Sequence, residues 1–196
     1  PYQGVFHLFI FWGFVALAIT TAIVFLQSDI IWPIWHVWFM EGNFYLGLSL
    51  FADVFGLVAI VGILMAMARR YFMKPKWLDE KGEDKVILWF ILAILVTGFV
   101  VEALRIQATE TDPASPMNPY IWFSPVGRTI AFLFSGMSMD ALRDTHVVLW
   151  WTHVLGALGF IVFIAYSKLL HIIMTPVNIF LRPDTPQPPI RVMPPE

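Results

Sequence analysis

Three histidines in one apolar stretch near the C-terminus have the clearest potential for chemistry. His146, His153 and His171 lie in THVVLWWTHVLGALGFIVFIAYSKLLHII. If this stretch is one α-helix, each residue turns about 100°, so spacings close to two and five whole turns put the three rings on one face. Ionisable side chains inside a membrane helix are functional candidates by default. A fourth histidine, His7, opens another apolar stretch, GVFHLFIFWGF. Imidazoles on facing helices are suitable ligands for a haem iron.

The composition is typical of a membrane protein and excludes several other classes. The 196 residues are 59% hydrophobic and 13% charged, whereas soluble proteins are about 25% charged. The formal net charge of −2 gives no basis for nucleic-acid binding. Because cysteine is absent, disulfides, cysteine-ligated iron–sulfur clusters and covalent haem attachment are excluded for this sequence. Any haem must therefore be of the non-covalent b type.

The apolar runs predict an all-α membrane protein with four main transmembrane helices in a haem-binding bundle, plus short interfacial helices. We expect a membrane cytochrome b domain over residues 1–181, with spans at about 4–26, 43–68, 86–107 and 146–173. Residues 121–139 hold too many polar residues and a proline, which favours a short interfacial or re-entrant helix. Residues 182–196 are rich in proline and predict an extended cytoplasmic tail or linker.

The distribution of lysine and arginine predicts the orientation of the chain. Four spans put both termini on one side, and most Lys and Arg residues fall on that side. The positive-inside rule then places the termini in the cytoplasm. If residues 121–139 crossed the membrane, the C-terminus would lie on the other side.

The chain begins with Pro1, and its first span lacks the features of a signal peptide. We therefore expect a processed product or part of a longer polypeptide.

The predicted depths pair His7 with His171. Each lies near the cytoplasmic end of its span, so both imidazoles are expected to reach one iron from opposite faces. Bis-histidine ligation gives a low-spin haem suited to one-electron transfer. The alternative is that each histidine simply contacts water at a helix end.

On a continuous helix, His153 would lie about 27 Å from His171, which suits a second haem. Three alternatives stay open for that level: His36 is the second ligand, the haem is five-coordinate, or there is no second haem.

Basic and acidic residues near the predicted sites have alternative roles. Lys168, Arg69 and Arg70 are expected to lie near the cytoplasmic haem, where they would neutralise its propionates or simply satisfy the positive-inside rule. Glu102 and Arg105 lie three residues apart and are expected to pair with each other.

Asp53, His36 and His146 are the candidates for a quinone site. Asp53 lies inside an otherwise uncharged span, where a charge is costly. It would deliver protons to a quinone, hydrogen-bond a histidine ligand, or serve as a hydrogen-bonded buried aspartate. The two histidines lie toward the opposite side from the termini, where they would pass protons to a quinone or, for His146, contact water at a helix start.

The motifs resemble a known family. GVFHLFIFWGF (4–14), ADVFGLVAIVGILMAMARR (52–70), TGFVVEALR (97–105) and HVVLWWTHVLGALGFIVFIAYSKLLH (146–171) cover nearly the whole chain. They resemble the di-haem b gamma subunit of respiratory nitrate reductase. The similarity is closer still to the cytochrome domain of heterodisulfide-reductase-like and electron-transfer-flavoprotein:quinone oxidoreductases.

The resemblance implies ligands and a function. It pairs the positions of His7 and His171 at the cytoplasmic haem, and assigns His153 to the other haem with a histidine ten residues after the first. This chain has Leu17 at that position, which leaves the second ligand open. The resemblance also implies electron transfer between a cytoplasmic iron–sulfur or flavoprotein partner, such as an electron-transfer flavoprotein, and a membrane quinone.

The implied setting is the cytoplasmic membrane of a bacterium or archaeon. The chain would be one component of a quinone-linked oxidoreductase complex rather than a complete enzyme. The competing interpretation is a haem-free membrane anchor or transporter subunit.

Overall fold

A computed structural model describes residues 2–75 and 82–182, and all regular structure in these ranges is helical. The α-helices, in chain order, are α1 (Tyr2–Phe25), α2 (Trp32–Trp35), α3 (Gly42–Ala68), α4 (Gly82–Thr109), α5 (Pro125–Ala131), α6 (Met139–Tyr166) and α7 (His171–Phe180). π-helical turns extend α1 and α3 over Leu26–Ile31 and Arg69–Met73. Turns of 3-10 helix cover Asn118–Phe123, Phe132–Phe134 and Lys168–Leu170.

The prediction of four long membrane helices is confirmed. Within the described residues, four helical segments are long and apolar enough to cross a bilayer: Tyr2–Trp35, Gly42–Met73, Gly82–Thr109 and Met139–Tyr166. The region 121–139 forms short helical pieces, of which α5 is the longest. Pro125 is favourable in the first turn of α5 because its missing N–H would have no partner there.

The chain divides into two compact units, Pro1–Ala157 and Leu158–Glu196. In the first unit, α3 is the central helix, since a larger share of its apolar window is buried than in the other spans. It packs against α1 on one side and against α4 and α5 on another. Near its C-terminal end, the Tyr2 hydroxyl of α1 donates a hydrogen bond to the Met65 carbonyl (2.9 Å). Toward its middle, Gly56 packs against the Phe99 ring of α4.

Small residues allow α1 and α3 to approach closely. A Cβ atom added at Gly13 would lie 2.6 Å from the Cβ of Ala59 and 3.1 Å from the Phe55 carbonyl oxygen. A Cβ added at Gly62 would lie 2.9 Å from the Cβ of Phe9. Close backbone contact through small residues is how membrane helices gain packing energy, because lipid supplies no hydrophobic force between them.

We therefore expect Gly13→Ala to destabilise the protein. The added methyl group must push α1 away from α3, at a cost of about 1–3 kcal/mol for overpacking. Thermal unfolding in detergent, followed by circular dichroism, measures the effect. Gly4→Ala is the matched control, because Gly4 lies on the same helix with open space around its Cα. A Gly13→Ala protein as stable as Gly4→Ala would contradict the close packing.

The prediction of one continuous helix over 146–173 is wrong. In the second unit, α6 ends at Tyr166 and Ser167 adopts an extended conformation (φ −124°, ψ 175°). The Ser167 hydroxyl accepts a hydrogen bond from the Leu169 N–H (3.2 Å), as an N-cap serine does. The chain then restarts through a 3-10 turn into α7, which begins at His171. The five-turn relation between His153 and His171, and the single face of three histidines, therefore do not hold.

Part of the predicted basic and proline-rich sequence lies outside the described residues. This applies to residues 183–196 of the predicted tail, and to Lys76 and Lys81 in the loop after α3.

Candidate functional site

His153 lies on α6 and faces α4. Its Nδ1 is 3.0 Å from the Thr97 hydroxyl oxygen. A Cβ atom added at the next residue, Gly98, would lie 3.1 Å from Cε1 of the ring and 3.7 Å from each ring nitrogen. The ring is half-buried. Thr97 and Gly98 therefore shape the surroundings of this histidine, a role that their positions in the sequence did not predict.

His153 and His7 occupy different levels of the first unit. Contacts from α6 to α4, from α4 to α3 and from α3 to α1 place His153 near the level of Gly13. At 1.5 Å per residue, His7 lies about 9 Å from Gly13 along α1, and Leu17 about 6 Å away in the other direction. Leu17 is thus near the level of His153, whereas His7 is nearer the end of the bundle where α1 begins.

Two predicted basic residues lie at the His7 end of the bundle. The Arg69 guanidinium lies 6.0 Å from the ring centroid of Phe6, the residue before His7. Arg70 forms an ion pair with Asp84 of α4, at 2.6 Å. Arg69 is therefore beside the start of α1, while Arg70 has a carboxylate partner that was not predicted from the sequence.

His171 has a defined local hydrogen bond in the second unit. Its Nδ1 lies 2.7 Å from the backbone carbonyl oxygen of Lys168. Because a carbonyl only accepts hydrogen bonds, Nδ1 must carry the proton, and Nε2 of a neutral ring then has a lone pair. That is the tautomer that binds a metal through Nε2. His171 and the Lys168 side chain are both exposed.

His36 lies at the far end of the first long helical segment. It follows α2 in a left-handed conformation (φ 53°), is exposed, and contacts Trp32 edge to face (centroids 5.6 Å apart). Nearly continuous helix separates it from Leu17, which corresponds to about 28 Å at 1.5 Å per residue. The structure therefore does not bring His36 to the level of His153.

Asp53 anchors the start of α5. The side chain is fully buried, and its two carboxylate oxygens accept hydrogen bonds from the backbone N–H groups of Val126 (2.9 Å) and Gly127 (2.8 Å). These N–H groups lie in the first turn of α5, where they have no intrahelical acceptor. Of the three roles predicted as alternatives for Asp53, these contacts correspond to the hydrogen-bonded buried aspartate.

A chain of polar contacts continues from Asp53 toward the loop after α4. The hydroxyls of Ser124 and Ser49 lie 2.6 Å apart, and Ser124 also donates to Glu102 (3.0 Å). Arg105 lies 3.9 Å from Glu102, as the sequence predicted, but only 2.6 Å from Glu110. Glu110 is 1% exposed, so its buried carboxylate is the closer partner of the arginine. We call this set of residues the polar cluster: Ser49, Asp53, Glu102, Arg105, Glu110 and Ser124.

His146 lies near the polar cluster. It is half-buried on α6, within electrostatic range of the Arg105 guanidinium. The antiparallel arrangement explains this position, because His146 precedes His153 by two turns just as Arg105 follows Gly98 by two turns. Of the three quinone-site candidates, Asp53 belongs to the polar cluster, His146 lies beside it, and His36 lies elsewhere.

The described residues contain no group of three or more His, Cys, Asp or Glu side chains able to hold a metal ion. Six residues with contacts at these sites were not predicted from the sequence: Ser49, Asp84, Thr97, Gly98, Glu110 and Ser124. The available signal was the placement of small and polar residues within or beside apolar runs, most clearly the TG pair that opens TGFVVEALR.

The comparisons with known proteins agree on one family. The family model described as nitrate reductase gamma subunit matches residues 5–186. The chain is 38% identical over 186 residues to "EtfAB:quinone oxidoreductase" of Syntrophomonas wolfei, which covers 93% of this chain and 25% of that protein. It is 25% identical over 178 residues to "Probable iron-sulfur-binding oxidoreductase FadF" of Bacillus subtilis, which covers 91% of this chain and 24% of that protein.

A third relative is one of the subunits of a reductase. The chain is 25% identical over 182 residues to a subunit of the dihydromethanophenazine:CoB–CoM heterodisulfide reductase of Methanosarcina barkeri, which covers 90% of this chain and 57% of that protein. The chain thus spans about a quarter of the first two relatives and over half of the third. No solved structure gives a significant match.

Proposed function

The chain belongs to the nitrate reductase gamma subunit family, and from that premise we propose that it is a cytochrome b that carries electrons between a cytoplasmic partner and a membrane quinone. The coarser part of this function, membrane electron transport linked to an oxidoreductase, follows from the family and the relatives. The haem, its ligands, the partner and the quinone are the proposed part.

The observation that carries the proposal is the environment of His153. A haem needs at most two axial ligands from the protein, so paired histidines suffice and a cluster of three is not required. Because Gly98 has no side chain, the His153 ring packs directly against α4, in contact with the position that a Cβ at residue 98 would occupy. A half-buried ring that is held through one nitrogen by the Thr97 hydroxyl is suited to bind the iron of a haem b through the other nitrogen.

His7 and His171 are proposed as the ligands of one low-spin haem, and His153 as a ligand of a second. The family resemblance supports the pairing, and the hydrogen bond from His171 Nδ1 to the Lys168 carbonyl is of the kind made by a histidine that ligates a metal through Nε2. When bound, haem b supplies reversible one-electron transfer. Arg69 and Lys168 are the residues proposed to neutralise its propionates, and Arg70 would share that role with its ion pair to Asp84.

The end of the bundle that holds the polar cluster is the proposed quinone site. Reduction of a quinone to a quinol consumes two electrons and two protons, so the site requires proton-carrying groups near the electron carrier. His146 is the proposed proton-carrying group, since an imidazole can both accept and release a proton. Asp53 would act at this site by fixing the position of α5. His36 stays a candidate quinone-site residue.

The proposed partner is a cytoplasmic iron–sulfur domain or a separate iron–sulfur protein, which would receive electrons from an electron-transfer flavoprotein. Support comes from the names of the relatives, which refer to EtfAB, to iron–sulfur binding and to heterodisulfide reduction. The much greater length of two relatives is consistent with such a module in the same polypeptide. Electrons would enter from this partner and reduce the quinone, with both termini in the cytoplasm; quinol oxidation is the reverse reaction.

Pyridine haemochrome analysis of the purified protein tests the proposal. We expect haem b at one or two equivalents per chain. We also expect a quinone to oxidise the reduced haem and its quinol to reduce it again, each visible as a change in the absorption spectrum. The complete absence of haem b after expression with adequate haem supply would overturn the proposal. That result would instead support a haem-free membrane anchor or transporter subunit.

A further inference from the structure

The hydroxyl proton of Thr97 is committed to the backbone of its own helix. Thr97 Oγ1 lies 2.8 Å from the Ala93 carbonyl oxygen and 3.0 Å from that of Ile94. Both carbonyls are acceptors only, so the single hydroxyl proton must point toward them. The lone pairs of Oγ1 then remain available on the side away from the helix backbone.

His153 occupies that remaining side. Its Nδ1 lies 3.0 Å from Thr97 Oγ1, and with the Oγ1 proton directed at its own helix, Nδ1–H is the donor. The imidazole also hydrogen-bonds to the backbone of Ile94, whose carbonyl Thr97 Oγ1 approaches as well. A neutral imidazole carries one ring proton, so Nε2 has the free lone pair. The hydrogen-bond chain from His153 through Thr97 to Ala93 therefore selects one tautomer, and it is the tautomer that ligates through Nε2.

Gly98 supports the same orientation of the ring. Its missing side chain lets the His153 ring lie against α4, where an added Cβ would come within 3.1 Å of Cε1. Thr97 and Gly98 are consecutive, so one turn of α4 supplies both the acceptor for Nδ1 and the space for the ring edge. A larger residue at position 98 would displace the ring from the Thr97 hydroxyl.

We propose that Thr97 is a positioning residue for the haem of His153: it fixes the Nδ1–H tautomer and orients Nε2 toward the iron. This inference rests on the proposed function, specifically on His153 as a haem ligand. A hydrogen bond that Nδ1–H donates makes the imidazole a stronger ligand, and loss of such an outer partner typically costs 10- to 100-fold in metal affinity. A stronger donor also favours ferric over ferrous iron, so Thr97 lowers the midpoint potential of this haem.

The experiment compares three variants of the whole chain in detergent. Thr97→Val keeps the shape of the side chain and removes the acceptor, whereas Thr97→Ser keeps the hydroxyl. Thr152→Val is the matched control, because Thr152 is adjacent to His153 and donates only to its own helix, at Val148 (2.8 Å). The readouts are haem retained per chain, the midpoint potential of each haem and the low-temperature electron paramagnetic resonance spectrum.

For Thr97→Val we expect a positive shift in the midpoint potential of one haem, an altered resonance spectrum of that haem and weaker haem retention, by 10- to 100-fold in affinity. Thr97→Ser and Thr152→Val should match the unaltered protein. If Thr97→Val and Thr152→Val behave alike, the positioning role is overturned.

His153→Ala separates this failure from a failure of the proposed function. If His153→Ala removes one haem while Thr97→Val has no effect, His153 is a ligand and only the role of Thr97 is wrong. If His153→Ala leaves the haem content and spectra unchanged, both the His153 ligation and the positioning role are overturned.

Discussion

His171→Ala is expected to abolish the low-spin spectrum of one b-type haem. The alanine has no lone pair for the iron, so the haem would become five-coordinate and high-spin or would be lost, lowering the content by about one equivalent. His7→Ala should remove the same spectral component, since the two histidines are proposed to bind one iron. Optical difference spectra and electron paramagnetic resonance of the purified variants measure the loss.

Lys168→Ala is the control for His171. The His171 Nδ1 bonds to the backbone carbonyl of Lys168, so an alanine there keeps the hydrogen bond and removes the side chain beyond Cβ, including the ammonium group. We expect the low-spin spectrum to persist in Lys168→Ala, with a shifted midpoint potential if the lysine neutralises a propionate. A low-spin spectrum unchanged by His171→Ala would show that His171 is not a ligand.

Asp53→Ala is expected to destabilise the protein by about 3 kcal/mol, because two charge-assisted hydrogen bonds are lost from a buried site. The Val126 and Gly127 N–H groups would be left without acceptors in the interior. The start of α5 should then detach from α3, giving faster hydrogen exchange around residues 124–131 and a lower thermal midpoint. Asp53→Asn, which keeps one acceptor oxygen, should lose less stability.

Asp112→Ala provides a matched control for Asp53. Asp112 also accepts a backbone hydrogen bond, from Ala114 at 2.8 Å, but the contact is exposed to solvent. We expect it to change stability by well under half as much. If Asp53→Ala were as stable as Asp112→Ala but failed to reduce quinone, proton delivery would replace anchoring as the role of Asp53.

The polar cluster shows why hydrogen-bond partners were harder to predict than the spans. The i,i+3 relation correctly paired Glu102 with Arg105, because neighbouring turns of one helix are in contact. It missed Glu110, which lies just beyond the end of α4 and is buried against the arginine by the loop. Asp53 was recognised as unusual from its apolar surroundings, but its partners lie 73 and 74 residues away in the sequence.

The last apolar stretch shows a local interruption that hydropathy does not reveal. The run through IAYSKLLH has one small polar residue, Ser167, which is compatible with a membrane helix and also favourable as an N-cap. In the structure this serine acts as an N-cap, so α6 and α7 are separate helices. The periodic relation of His146 to His153 within α6 survives this break, whereas the relation of either residue to His171 does not.

The number of membrane spans, the exclusion of covalent haem, the candidate histidines and the family resemblance all follow from the residues alone. They depend on local properties. Residue type sets the cost of placing a charge in lipid, and the length of an apolar run decides whether it can span the membrane. The side chain present decides which ligand chemistry is possible. Only the tertiary structure showed that Asp53 caps α5, that Gly13 lets α1 and α3 pack closely, and that Thr97 and Gly98 face His153. Those contacts join distant parts of the chain, and no local pattern of residue types specifies which distant partners meet.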